Sequence, residues 1–96
     1  MEKSNKVIFV IPVYNEEEII EKVVDDIINE IKEIDFKVLL INDGSSDNSL
    51  EKIKKIKKKY NQKIEYIDQE NIGHGPTLLK GYSYAVENYF DYILQN

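Results

Sequence analysis

The run Val38-Leu39-Leu40-Ile41 shows no alternation of apolar and polar residues, and it stops abruptly at Asn42-Asp43-Gly44-Ser45-Ser46. A half-exposed strand would alternate, so this stretch reads as a strand covered on both faces, the usual state of a parallel sheet flanked by helices. Lys6-Val7-Ile8-Phe9-Val10-Ile11-Pro12-Val13 is a second run of the same kind, with Pro12 near its end, where a missing N–H is tolerable. Two such strands separated by a helical segment form a βαβ unit with parallel neighbours. Asp43 then falls at the carboxyl end of its strand. Ligands of open α/β sheets bind at that edge.

The chain has 96 residues, enough for one small domain. Its 42% hydrophobic and 32% charged residues are a globular composition, not a disordered one. With no cysteine, disulfides and thiolate metal sites are excluded. No apolar run approaches the roughly 18 residues of a membrane span, and the first residues lead straight into a strand. A cytoplasmic location is therefore expected, compatible with association of the full-length protein with the inner face of a membrane. A net charge of −5 weakens any general attraction to nucleic acid or anionic lipid.

After the first strand, Asn15 with Glu18 has capping-box spacing, which predicts a helix beginning there. Ile19, Ile20, Val23, Val24, Ile27, Ile28 and Ile31 follow at helical spacing as its inner face. The second strand is expected over Phe36 to Asn42. Ser46, Asp47 and Asn48 are alternative caps of a second helix, whose buried stripe is Leu50, Ile53, Ile56 and Tyr60. Lys63 to Asp68 alternates imperfectly and suggests a strand near a sheet edge. Pro76 suits the first turn of a third helix with Leu78, Leu79, Tyr82, Ala85, Val86 and Tyr89 inward, and Tyr92-Ile93-Leu94 opens a fourth, buried strand. The fold class expected is α/β, a three-layer sandwich with a mainly parallel sheet in the order βαβαβαβ.

Asp-Gly at a strand end is ordinary turn chemistry. The same carboxylate would also accept from the imide N–H of uracil or the paired N–H groups of guanine, and adenine has no such ring donor. Tyr14 lies at the same edge, where its ring either packs or stacks on a base. Glu16 favours a helix start and is also positioned to hold ribose hydroxyls. The segment from Asp43 to Asp47 has calcium-loop oxygens at its first positions, but Asn48 and Lys54 stand where that loop needs Gly and Glu. A Rossmann fingerprint or P-loop would put glycines after the first strand; Asn15-Glu16-Glu17-Glu18 would instead repel a diphosphate. Gly73-His74-Gly75-Pro76-Thr77 precedes a helix, so its free N–H groups can approach a phosphate or sugar, with His74 and Lys80 able to add charge. Lys52, Lys54, Lys55, Lys57, Lys58 and Lys59 lack interleaved aromatics and read as a solvated face.

Taken together, Val10-Ile11-Pro12-Val13-Tyr14-Asn15-Glu16-Glu17, Asn42-Asp43-Gly44-Ser45-Ser46-Asp47 and Asn71-Ile72-Gly73-His74-Gly75 resemble the family 2 glycosyltransferases, close to the dolichol-phosphate-mannose-synthase-like branch. The resemblance implies a GT-A fold and inverting transfer of a sugar from a UDP- or GDP-linked donor. It makes Pro12, Val13, Tyr14 and Glu16 the nucleoside-contacting segment and Asp43 the acid that reads the base. Gly73, His74 and Gly75 become a wall near the ribose and diphosphate, with His74 where a Lys often stands. The family's Asp-x-Asp motif, which holds Mg2+ or Mn2+, would follow the fourth strand, beyond Asn96. Residues 1–96 are thus expected to be the N-terminal, donor-nucleotide-binding part of a glycosyltransferase domain, binding no metal and inactive alone. Surface left uncovered by such a cut would favour self-association. The rival expectation is a non-catalytic nucleotide- or phosphate-binding module with a flavodoxin-like sheet, Asp43 then serving as a phosphoacceptor.

Overall fold

A computed structural model describes residues 5–95. Strand β1 (Val7–Val13) is followed by α1 (Ile20–Glu30), β2 (Phe36–Asp43), α2 (Ser49–Tyr60), a short 3-10 turn, β3 (Ile64–Gln69), α3 (His74–Glu87) and β4 (Tyr92–Gln95). The strands form one sheet in the order β3-β2-β1-β4, and every pairing is parallel. This is the expected α/β sandwich, with β3 at an edge as its imperfect alternation implied.

Alternate residues of the two central strands feed two separate cores. Val7, Ile11, Val13, Val38 and Leu40 pack with Ile20 and Val24 of α1 and Ile53 and Ile56 of α2. Ile8, Val10, Leu39 and Ile41 face the other way and meet Ala85 of α3. Burial on both sides explains why neither strand alternates in sequence. β4 pairs with β1 only as far as Val10, so the missing donor of Pro12 leaves no gap in that ladder.

The structure departs from three expectations. Helix α1 begins at Ile20, not beside Asn15, and no side chain caps it; Ile19, expected on the inner face, is exposed. Helix α3 is rotated from its expected setting: Ala85 and, partly buried, Leu78 face the sheet as expected, but Thr77 and Gly81 join them, whereas Leu79, Val86 and Tyr89 are 65%, 70% and 82% exposed. The reason is distance. A Cβ on Gly81 would lie 2.3 Å from Val10 Cγ1, so the helix rests on the sheet through its smallest residues and leaves no room for a leucine there. Finally, β4 is an exposed edge strand and not a buried one.

Candidate functional site

The register that pairs Val13 with Asn42 sets Tyr14 and Asp43 at neighbouring positions of the carboxyl-terminal edge. The loops that leave this edge are tied together by polar contacts. Asn15, held at a left-handed φ of 51°, accepts at Oδ1 from the N–H of Ser46 (2.8 Å) and of Asp47 (3.3 Å). In return the N–H of Asn15 donates to Ser45 Oγ (3.0 Å), that of Glu16 to Ser49 Oγ (2.9 Å) and that of Glu17 to Asp47 Oδ2 (3.3 Å). Each loop thus satisfies backbone donors of the other, and the capping box expected of Asn15 and Glu18 does not form. Of the three cap candidates Asn48 is the N-cap of α2 and its side chain makes no capping bond, while Asp47, one residue earlier, accepts from the N–H of Ser49 (2.9 Å). Burial pushes the Asp47 carboxyl up, but Ser49 and the Glu17 N–H outweigh this and hold it below its ordinary value.

Asp43 is only 4% exposed and points to the α3 side of the sheet, where it clamps the loop between β3 and α3. Its Oδ1 accepts from the Ile72 N–H (2.7 Å) and Gln69 Nε2 (3.1 Å). Its Oδ2 accepts from the Gly73 N–H (3.1 Å) and Asn71 Nδ2 (3.3 Å), and Asn71 Nδ2 also donates to the Asp43 main-chain oxygen (3.0 Å). Desolvation raises the carboxyl pKa, yet the Ile72 N–H, the Gln69 amide, the Gly73 N–H and the Thr77 hydroxyl together bring it below the ordinary carboxylate value. Gln69 Nε2 reaches Thr77 Oγ1 as well (3.0 Å), while its buried Oε1 has no partner among the described residues. Turning that amide over would set its oxygen against the carboxylate, so the clamp dictates its orientation.

The remaining sequence-derived candidates divide by exposure. Tyr14 is 52% exposed, and its phenol makes no hydrogen bond among the described residues. Glu16 and Pro12 are half-buried at the same edge. Val13 lies wholly in the α1/α2 core, so only its backbone can face a ligand. Gly73 takes a φ of 98°, which a residue with a side chain adopts only under strain, and His74 and Gly75 are exposed at the start of α3. Lys80 is exposed two turns into α3. The sequence marks Asn15 and Asp47 only as helix caps and gives Ser45, Gln69 and Asn71 no role of their own in joining the loops, although Asn15, Ser45, Asp47 and Asn71 stand within the three motifs that carry the family resemblance.

A hollow of about 390 Å³ lies at the opposite, amino-terminal edge, between Lys6, Phe36, Lys63 and Phe90. Its ammonium groups are engaged: Lys63 sits 4.1 Å from the Phe36 ring centre, and Lys6 lies over Phe90 while donating to the Asn88 oxygen (2.7 Å). The convergent polar groups lie at the carboxyl edge, and the hollow does not. Among the described residues no group of three or more His, Asp or Glu side chains is placed to hold a metal ion. No helix of the described residues is long and apolar enough to cross a membrane.

The chain is similar to known glycosyltransferases. The chain is 36% identical over 87 residues to the undecaprenyl-phosphate 4-deoxy-4-formamido-L-arabinose transferase of Proteus mirabilis, an alignment covering 88% of this chain and 27% of that protein. It is 37% identical over 87 residues to a poly-beta-1,6-N-acetyl-D-glucosamine synthase of Staphylococcus aureus, covering 90% and 20%. It is 32% identical over 90 residues to the glycosyltransferase GlyA of Streptococcus pneumoniae, covering 94% and 13%. The chain therefore spans about a quarter or less of the length of these relatives. The family model described as glycosyl transferase family 2 matches residues 8–93, nearly the whole of the described sheet and its helices, and the chain belongs to that family.

Proposed function

We propose that this chain is the donor-nucleotide-binding part of an inverting glycosyltransferase that uses a UDP- or GDP-linked sugar, in the branch resembling dolichol-phosphate-mannose synthase. One observation carries the reading: an exposed aromatic ring, Tyr14, and a fixed carboxylate, Asp43, occupy neighbouring positions on one sheet edge between cross-braced loops. Tyr14 stacks on the base, and Asp43 accepts from its ring N–H. Glu16 takes the ribose hydroxyls. The backbone of Pro12 and Val13 forms the floor, and Gly73, His74 and Gly75 form the wall toward the diphosphate, whose charge Lys80 and the amino end of α3 offset.

These residues bind and orient the donor. The loop braces around Asn15 are made by the chain's own residues, so ordering them adds little cost at the moment of binding. In the full-length enzyme a divalent cation would offset diphosphate charge. Its ligands, the general base and the acceptor site lie outside residues 1–96 in this reading, so this segment binds nucleotide without transferring sugar. Detectable sugar transfer by the purified chain would refute that part. Calorimetric titration tests the rest: UDP or GDP should bind and ADP should not, and Tyr14→Ala should weaken binding by about tenfold. Equal affinity for all three nucleotides would sink the base-reading site.

A further inference from the structure

A carboxylate offers about four acceptor directions, and Asp43 already fills them with donors from its own chain: the Ile72 and Gly73 N–H groups, Gln69 and Asn71. A nucleobase N–H can therefore reach Asp43 only by replacing one of them. The four are not equivalent. Two are backbone groups fixed by the turn into α3, and Gln69 is held between Asp43 and Thr77. Asn71 alone is an exposed side chain, and its contact with Oδ2, at 3.3 Å, is the longest of the set.

We infer that Asn71 is a placeholder: its side-chain amide occupies on Asp43 Oδ2 the position that a uracil or guanine ring N–H takes when the nucleotide binds. The inference rests on the base-reading role proposed for Asp43. An amide N–H and an imide N–H are chemically alike as donors, so the free site keeps its buried carboxylate satisfied without presenting a donor that must be rebuilt. The exchange is cheap for a structural reason. Asn71 Nδ2 makes its shorter bond, 3.0 Å, to the main-chain oxygen of Asp43, and that bond persists when the contact with Oδ2 is given up. Asn71 is thus a residue that sets nucleotide affinity by competing with the ligand. A residue that merely supported the loop would act in the opposite sense.

Binding of UDP, GDP and ADP to the wild-type chain and to Asn71→Ala, together with NMR of the Asn71 side-chain amide, tests this. Removing the competitor should tighten UDP or GDP binding about threefold and leave ADP unaffected. In the wild type, the Asn71 NH2 signals should move and exchange faster with water as UDP or GDP is added. Weaker binding by a folded Asn71→Ala variant would overturn the inference, as would amide signals unmoved during base-dependent binding. If the variant does not fold, the wild-type NMR titration decides alone. Absence of any base preference in the wild type would bring down the base-reading site and the placeholder with it, whereas base preference with a silent Asn71 would bring down only the placeholder.

Discussion

The two faces of the sheet are held by different means. On one, Ile20, Val24, Ile53 and Ile56 press bulky side chains into the strands, and the attachment is apolar bulk. On the other, α3 meets the strands through Thr77, Gly81 and Ala85, and its leading loop is fastened by the Asp43 carboxylate. The first attachment has no direction; the second is directional and lies at the candidate site. A face that must hold a loop in one geometry gains more from charge-assisted hydrogen bonds than from area.

This contrast can be broken by substitution. Ile53→Ala, which leaves a cavity in the apolar face, should cost about 4 kcal/mol in urea unfolding. Asp43→Ala orphans the Ile72 and Gly73 N–H groups and should cost about 3 kcal/mol. A larger loss for Asp43 than for Ile53 would reverse the ranking of the two faces. Gly81→Ala should cost about 2 kcal/mol, because the new methyl must displace the buried Val10 side chain. Because the folded-state pKa of Asp43 is lowered, its stabilising contribution is complete above the unfolded carboxylate value of about 3.9 and fades as pH falls toward the folded one. Wild type should therefore lose stability in acid more steeply than Asp43→Asn, measured as the difference in thermal midpoints between about pH 5 and pH 3. Smallest of all, Leu79→Ser on the outward side of α3 should change stability by about 0.5 kcal/mol or less. A large effect there would mean that the side is covered in solution, which light scattering coupled to size exclusion would reveal as a dimer.

What could be read from the sequence follows the same division. Bulky residues at helical spacing locate α1 and α2 and their inner faces, apart from the exposed Ile19, because burial of bulk is what periodicity detects. The same rule places Ala85 and Leu78 of α3 correctly but misassigns Leu79, Val86 and Tyr89. There the fully buried positions are the small ones, and Leu79 and Val86 mark the outside. Strand limits are legible to within a residue for β2, since continuous burial on both faces leaves an unbroken apolar run. At the site, the placing of Asp43 and Tyr14 on one edge follows from the parallel direction of β1 and β2. The partners of Asp43 do not, because contacts with residues about 29 positions away depend on how the β3–α3 loop folds back. Asn15 is recognisable as a cap. That it serves the neighbouring loop instead of its own helix is a tertiary choice invisible in local spacing.

Gly44 sits at a φ of 66°, and a Cβ there would come within 2.5 Å of the Asn71 backbone nitrogen. Two main chains therefore touch with no side chain between them, and the spacing of the loops after β2 and β3 is at its minimum. Under the proposed base-reading role, an engineer wishing to admit a bulkier base could gain no space by trimming at position 44, where nothing is left to remove. In that reading the side open to adjustment is the one that carries the exposed Tyr14.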